Sequence, residues 1–251
     1  MPEKEEFIAV FDSGVGGISV LRALVRVLPE ENFLYFGDSK NAPYGTKSTQ
    51  QVKRLTMDAA DMLFKRGAKA LVVACNTATA AAIDDLRRKY PEKIIVGIEP
   101  AVKVAADHFP SGRVGVMATP VTLREEKFTH LKANFPNLKI TPIGLPLLAQ
   151  MIEQGVSDEE IEKYLRPHLA PLKGSLDAVV LGCTHYPLTA HVIARLLGEN
   201  TALLDGAYGT ALQTKRRLEA ADLLGGEGSV KVENSLQDKE ILLRCMALLE
   251  E

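Results

Sequence analysis

Along this chain, short β-branched runs alternate with longer stretches whose apolar residues recur at helical spacing. Phe7–Phe11 is a continuous apolar run of strand length, the pattern of a strand covered on both faces. A glycine-rich turn follows, and Leu21, Leu24, Val25 and Leu28 then mark one face of a helix. Asn32–Phe36 predicts a second strand, followed by a loop through Pro43-Tyr44-Gly45. Residues 48–66 predict a helix with Ser48 at its N-cap, because a serine oxygen can accept one of the free N–H groups of the first turn. Ala70–Ala74 predicts the third strand, Thr77–Tyr90 the next helix and Ile94–Ile98 another strand. Strands that alternate with helices imply parallel pairing and an α/β class.

The pattern then restarts. Arg113–Thr119 resembles Phe7–Ser13 at an offset of 106 residues. Ala178-Val179-Val180-Leu181-Gly182-Cys183-Thr184-His185 resembles Ala70-Leu71-Val72-Val73-Ala74-Cys75-Asn76-Thr77 at an offset of 108. Two anchor pairs at nearly one spacing argue for an internal duplication. The chain is therefore expected to form two similar α/β lobes, related by a pseudo-two-fold, with mainly parallel sheets flanked by helices and a cleft between them. Residues 1–98 plus 207–251 are assigned to the first lobe and 99–206 to the second. Ala207–Leu224 and Asp238–Leu249 read as helices that pack back on the first lobe, joined by a flexible turn at Gly225–Ser229.

Composition narrows the function classes. Hydrophobic residues make up 46% of the 251 positions and charged residues 25%, as in an ordinary soluble domain. A net charge of -2 gives no general electrostatic case for nucleic acid or a membrane surface. No apolar run approaches the ~18 residues that a membrane span needs. Met1–Glu6 is charged rather than basic then apolar, so no secretory leader is expected. Three cysteines in a chain of this length are not a disulfide framework. The cytoplasm is the expected compartment, with free thiols.

Candidate chemistry gathers where strands end, since open α/β sheets bind ligands beyond the carboxyl ends of their strands. Four polar clusters fall there: Asp12-Ser13, Cys75-Asn76-Thr77, Thr119 to Thr122, and Cys183-Thr184-His185. Facing lobes would bring all four to one cleft. Asp12-Ser13-Gly14-Val15-Gly16-Gly17 fits neither a dinucleotide nor a Walker A loop, and its later glycines read as turn formers with φ > 0 or as sites of close approach. Each cysteine is read as beginning a helix, where free N–H groups and the macrodipole favour thiolate; the competing reading is a buried small hydrophobe. His185, two residues beyond Cys183, is placed to favour thiolate or pass protons. Cys-x-His supplies only two ligands and no second pair completes a site, so no metal is expected. Asn76, Thr77 and Thr184 either hold a carboxylate together with helix N–H groups or cap helices. Cys245 reads as helix core, and His108, His130, His168 and His191 as solvent-facing. By spacing alone, Glu153 is a solvent-facing helix carboxylate and Tyr44 a loop aromatic.

Four segments together resemble the glutamate racemases of the aspartate/glutamate racemase superfamily. They are Asp12-Ser13-Gly14-Val15-Gly16-Gly17, Asp38 to Pro43-Tyr44-Gly45, Ala74-Cys75-Asn76-Thr77-Ala78-Thr79 and Gly182-Cys183-Thr184-His185-Tyr186-Pro187. The resemblance implies cofactor-independent inversion at the α-carbon of glutamate, supplying D-glutamate for peptidoglycan synthesis. It implies that Cys75 takes the proton from D-glutamate and Cys183 from L-glutamate, with Asp12 supporting Cys75, His185 supporting Cys183 and Glu153 accessory. Ser13, Pro43, Tyr44, Gly45, Asn76, Thr77, Thr122 and Thr184 match substrate-contact positions, and Asp205-Gly206-Ala207 a late motif. Glutamate is the expected partner and a homodimer the expected assembly. Two departures stand out: Ile143-Gly144-Leu145-Pro146 replaces a common Ala-Cys-Pro, and Glu125 and Phe128 replace a usual Ser and Tyr. The chain also lacks the N-terminal extension of members regulated by a cell-wall precursor, so no such activation is expected. Aspartate, one methylene shorter, is the nearest alternative substrate; a non-catalytic binding protein and a Cys75–Cys183 redox pair are the readings from other classes.

Overall fold

A computed structural model describes residues 6–250, so the N-terminal stretch read for a leader lies almost wholly outside the described residues. Two all-parallel sheets carry the chain. The first runs β4-β3-β1-β2-β9, built from β1 (Phe7–Asp12), β2 (Phe33–Gly37), β3 (Ala68–Val73), β4 (Ile94–Gly97) and the late strand β9 (Val230–Asn234). The second runs β6-β5-β7-β8, from β5 (Arg113–Ala118), β6 (Lys139–Gly144), β7 (Ala178–Gly182) and β8 (Ala202–Leu204). Read backwards, the second order is β8-β7-β5-β6, the same path as β4-β3-β1-β2. The register repeats too. Ile8 pairs with Ala70 and Phe11 with Val73, and at the sequence offsets above, Val114 pairs with Ala178 and Met117 with Leu181.

Helices cover both faces of each sheet because each central strand is apolar on both. Ile8 and Val10 point into one core with α1 (Ile18–Val27), α10 (Ala207–Ala220) and α11 (Lys239–Glu250); Ala9 and Phe11 point into the other with α2 (Thr49–Lys65) and α3 (Asn76–Lys89). In the second sheet, Val179 and Leu181 face α7 (Leu148–Glu153), α8 (Asp158–Leu169) and α9 (Ala190–Leu197), while Val114 and Val180 face α4 (Val102–His108) and α6 (Glu126–Ala133). The short α5 (Pro120–Arg124) starts at the end of β5, with Thr119 as its N-cap. Ser48 caps α2 in a reciprocal capping box with Gln51. Among the described residues no helix is long and apolar enough to cross a membrane.

The sequence pattern missed β6, β8 and β9. β6 holds Pro142 and is largely exposed, which an edge strand tolerates, and β8 has only three residues. The Gly225–Ser229 turn therefore leads into β9 rather than directly into the last helix. Both chain crossings between the sheets run side by side: a Cβ on Gly206 would lie 2.7 Å from the Glu99 carbonyl oxygen, so only glycine fits there.

The segment after α10 is tied under the first sheet by a buried ion pair. Lys69 Nζ lies 2.6 Å from Glu31 Oε2, with side-chain exposures of 5% and 2%. The ammonium also donates to the carbonyls of Leu223 and Gly225, and the Gly225 N–H donates to Glu31 Oε1. Removing one partner strands the other without water. Lys69→Met is expected to cost about 3 kcal/mol of unfolding free energy, and Lys69→Met with Glu31→Leu to recover most of it. Urea midpoints check this; a single variant as stable as the parent would refute it.

Candidate active site

Cys75 lies just past the end of β3 and is the N-cap of α3. Its Sγ accepts the Ala78 N–H at 3.4 Å and donates to Ser13 Oγ at 3.6 Å. The residue is buried, and burial, followed by the charge of Asp12, pushes the thiol up to about 12 against the pull of those two hydrogen bonds. This corrects the expectation that a helix N-terminus favours thiolate here: the desolvation penalty outweighs the helix N–H.

Cys183 is not at an α-helix N-terminus at all. A 3-10 turn, Tyr186–Thr189, intervenes before α9. Its neighbour is His185, whose Nδ1 lies 3.8 Å from Sγ. The opposite ring nitrogen, Nε2, lies 2.6 Å from Glu153 Oε2, and that oxygen also accepts the Val15 N–H at 3.0 Å. Burial opposes charge on His185, but the contacts with Cys183 and Glu153 overcome it and hold the imidazole well above its ordinary value. Burial likewise opposes charge on Glu153, and His185, the Val15 N–H and Arg244 together keep its carboxyl below the usual range. Both shifts favour an imidazolium paired with a carboxylate, and Nδ1 faces the sulfur. Glu153 is only 15% exposed in its side chain, which overturns the solvent-facing reading made from helical spacing.

The glycine turn serves close approach. Neither Gly16 nor Gly17 has positive φ. A Cβ on Gly16 would sit 2.6 Å from His185 Nδ1, and one on Gly17 would collide with Asp12. Asp12 is fully buried; its Oδ2 accepts the Gly14 N–H at 3.0 Å and its Oδ1 accepts the Thr184 hydroxyl at 3.1 Å, so it bridges the lobes. Burial raises its carboxyl, with the charge of His185 opposing. Ser13, rather than Asp12, is the hydrogen-bond partner of Cys75.

The remaining residues singled out in the sequence line the same junction. Thr77, Thr119 and Thr122 join hydroxyls across the lobes, at 3.0 Å for Thr77–Thr119 and Thr119–Thr122 and 3.4 Å for Thr77–Thr122. Asn76 Oδ1 is buried without a hydrogen-bond partner. Tyr44 is buried, not a free loop aromatic, and donates to Asp38 Oδ2 at 2.7 Å. Gly45 packs on Thr119 so closely that a Cβ would lie 2.7 Å from its methyl, and Pro43, half-buried, follows a cis bond. A small cavity of about 10 Å³ touches Asn76, Cys183, Thr184, Ser19 and Asp205. Glu125 accepts the Thr49 hydroxyl at 2.6 Å, joining α2 to the second lobe, and Phe128 is core. Cys245 is buried in α11, all three cysteines are free, and His108, His130, His168 and His191 are exposed. Sequence reasoning missed Arg244, which donates to the carbonyls of Glu153 and Ile152; a single arginine in an amphipathic helix carries no signal of that contact.

Known proteins share this sequence and fold. The chain is 47% identical to a glutamate racemase of Clostridium kluyveri over the whole of both chains. A solved glutamate racemase isoform of Bacillus anthracis superposes with a TM-score of 0.86 at 31% identity, covering 98% of this chain and 95% of that one. A glutamate racemase of Francisella tularensis, solved in complex with D-glutamate, superposes with a TM-score of 0.83 at 27% identity, covering 99% and 95%. The family model for Asp/Glu/Hydantoin racemases matches residues 8–212, the span that holds both cysteines, Asp12, Glu153 and His185, and the chain belongs to that family.

Proposed function

We propose that this protein interconverts L- and D-glutamate without a cofactor, using Cys75 and Cys183 as bases on opposite faces of the α-carbon. The observation that carries this reading is the pair of thiols at equivalent strand ends of two duplicated sheets, near enough for the charge of one to act on the other. Inversion requires a group that removes the α-proton from one face and a group that delivers a proton to the other. In the L-to-D direction, Cys183 thiolate takes the proton beside the His185 imidazolium, and the Cys75 thiol, which burial keeps protonated, gives its proton to the opposite face. The sulfurs exchange roles in the reverse direction. The α3 N-terminus and the hydroxyls of Thr77, Thr122 and Thr184 suit the substrate carboxylates, and the unpartnered Asn76 Oδ1 suits a substrate ammonium. The D-glutamate formed would serve peptidoglycan synthesis in the cytoplasm.

Two measurements test this reading. Cys75→Ser and Cys183→Ser should each lower racemisation by about 10³-fold or more, followed by optical rotation and α-deuteration of L-glutamate in deuterium oxide, with L-aspartate in parallel. Full activity in either variant refutes the two-thiol mechanism, and faster turnover of aspartate refutes the substrate.

The second concerns pH. His185 binds its proton more tightly folded than unfolded, so its contribution to stability is complete below about pH 6.5 and fades as pH rises through the folded value. Glu153 does the reverse: its contribution is complete above about pH 4.3 and fades as pH falls through its lowered value. Glu153→Gln should therefore show its largest loss of melting temperature between about pH 4.3 and 6.5. Its alkaline limb of kcat/KM should also move to lower pH, because His185 loses its counter-ion. A uniform loss across pH, with an unmoved limb, refutes the ion pair.

A further inference from the structure

We propose that Arg244, on the last helix of the chain, is a positioning residue for the Cys183 half of the site: it fixes the end of α7 from which Glu153 orients His185. The inference rests on the two-thiol reading above.

Arg244 Nη1 donates to the Glu153 carbonyl at 2.7 Å and Nη2 to the Ile152 carbonyl at 2.6 Å. These are C-terminal carbonyls of α7; that of Ile152 also accepts the Gly155 N–H at 3.0 Å, so Arg244 adds to a local cap there. α7 has only six residues, and Gly155, just past its C-cap Gln154, has a φ of +68°. So short a helix holds its last turn weakly on its own, yet that turn bears the carboxylate on which the imidazolium depends. A guanidinium with two parallel donors fixes both position and rotation of such an end, as a single ammonium does not.

The tie also crosses the lobes. α11 belongs to the first: Cys245, Ile241, Leu248 and Leu249 pack in its core, and Arg22 donates to the Leu248 carbonyl at 3.3 Å. Leu243 and Met246 of the same helix are 71% and 42% exposed, while Arg244 between them turns inward. Glu153 is thus held by first-lobe groups at both ends, Val15 N–H on the carboxylate and Arg244 on the backbone. The charged and titratable groups that act on the pair are His185 and Cys183 after β7, Asp12 on β1, Tyr35 on β2, and Arg244 and Cys245 on α11.

The test compares the full-length protein with Arg244→Ala, Arg244→Lys and Arg244→Gln, with Met246→Ala as a control on the same helix. A misplacement near 1 Å at a catalytic group can cost about 10²-fold; we expect Arg244→Ala to lower kcat at least ~10-fold with KM within about twofold. Its alkaline limb of kcat/KM should move to lower pH as Glu153 loosens from His185. Arg244→Lys, with a charge but one point of attachment, should fall between, and Met246→Ala should match the parent. A parental kcat, or a loss that follows melting temperature with unmoved pH limbs, overturns the proposal; if Arg244→Ala does not fold, the Lys and Gln variants decide by the same limb. Racemisation retained in Cys183→Ser overturns the two-thiol reading instead. An unmoved limb in Arg244→Ala, with Cys183→Ser inactive, overturns the positioning role alone.

Discussion

A carboxylate and an imidazolium cannot both stay charged out of water unless their contacts replace what hydration supplied. The Glu153–His185 pair meets that condition at 2.6 Å, with the Val15 N–H on the same carboxylate oxygen and Arg244 behind the helix that carries it. Much of the local sequence follows from this demand. Gly14 is glycine because a Cβ there would occupy the space of the Glu153 carboxylate, and Gly16 because one would strike the imidazole. The turn that first looked like a loop former is the wall against which the pair is pressed. Its donors come from both lobes, so the charge state of the site depends on how the lobes sit together.

The duplication gives the two thiols the same backbone setting and different chemistry. Under the offset that relates Cys75 to Cys183, Asn76 corresponds to Thr184 and Thr77 to His185. Under the offset of the first strands, Asp12 corresponds to Ala118. The first lobe thus keeps the buried carboxylate and surrounds its sulfur with a hydroxyl and a helix N–H. The second keeps the cation. Asp12 reaches Thr184, and Val15 reaches Glu153, so each lobe supplies part of the other's surroundings.

What could be read from the sequence follows burial. β1, β3, β5 and β7 are covered on both faces and announce themselves as apolar runs, and their ends located Asp12, Cys75, Thr119 and Cys183. β6 and β9 lie at sheet edges, where Pro142, Lys231 and Glu233 are tolerated and the apolar signal fades. Glu153 was misread from spacing because a six-residue helix has too few turns to define a face. Only the resemblance of its context marked it as more than surface. The direction of the Cys75 shift was misread for a different reason: a helix N-terminus is visible in a sequence, while the depth of burial that overrides it is not.

The asymmetry has to be reconciled with an equilibrium that has none. L- and D-glutamate have equal free energies in water, so kcat/KM must be the same in both directions, however different the two thiols are. A site with a protonated Cys75 on one side and an imidazolium beside Cys183 on the other cannot favour one enantiomer overall. It can only divide the same ratio differently, raising kcat and KM together for one substrate. Burial makes Cys75 reluctant to ionise, and under the two-thiol proposal its thiolate is the form ready for D-glutamate. Under that proposal the unequal surroundings bear on which protonation state waits for substrate, and leave the direction of net conversion to the concentrations of the two enantiomers.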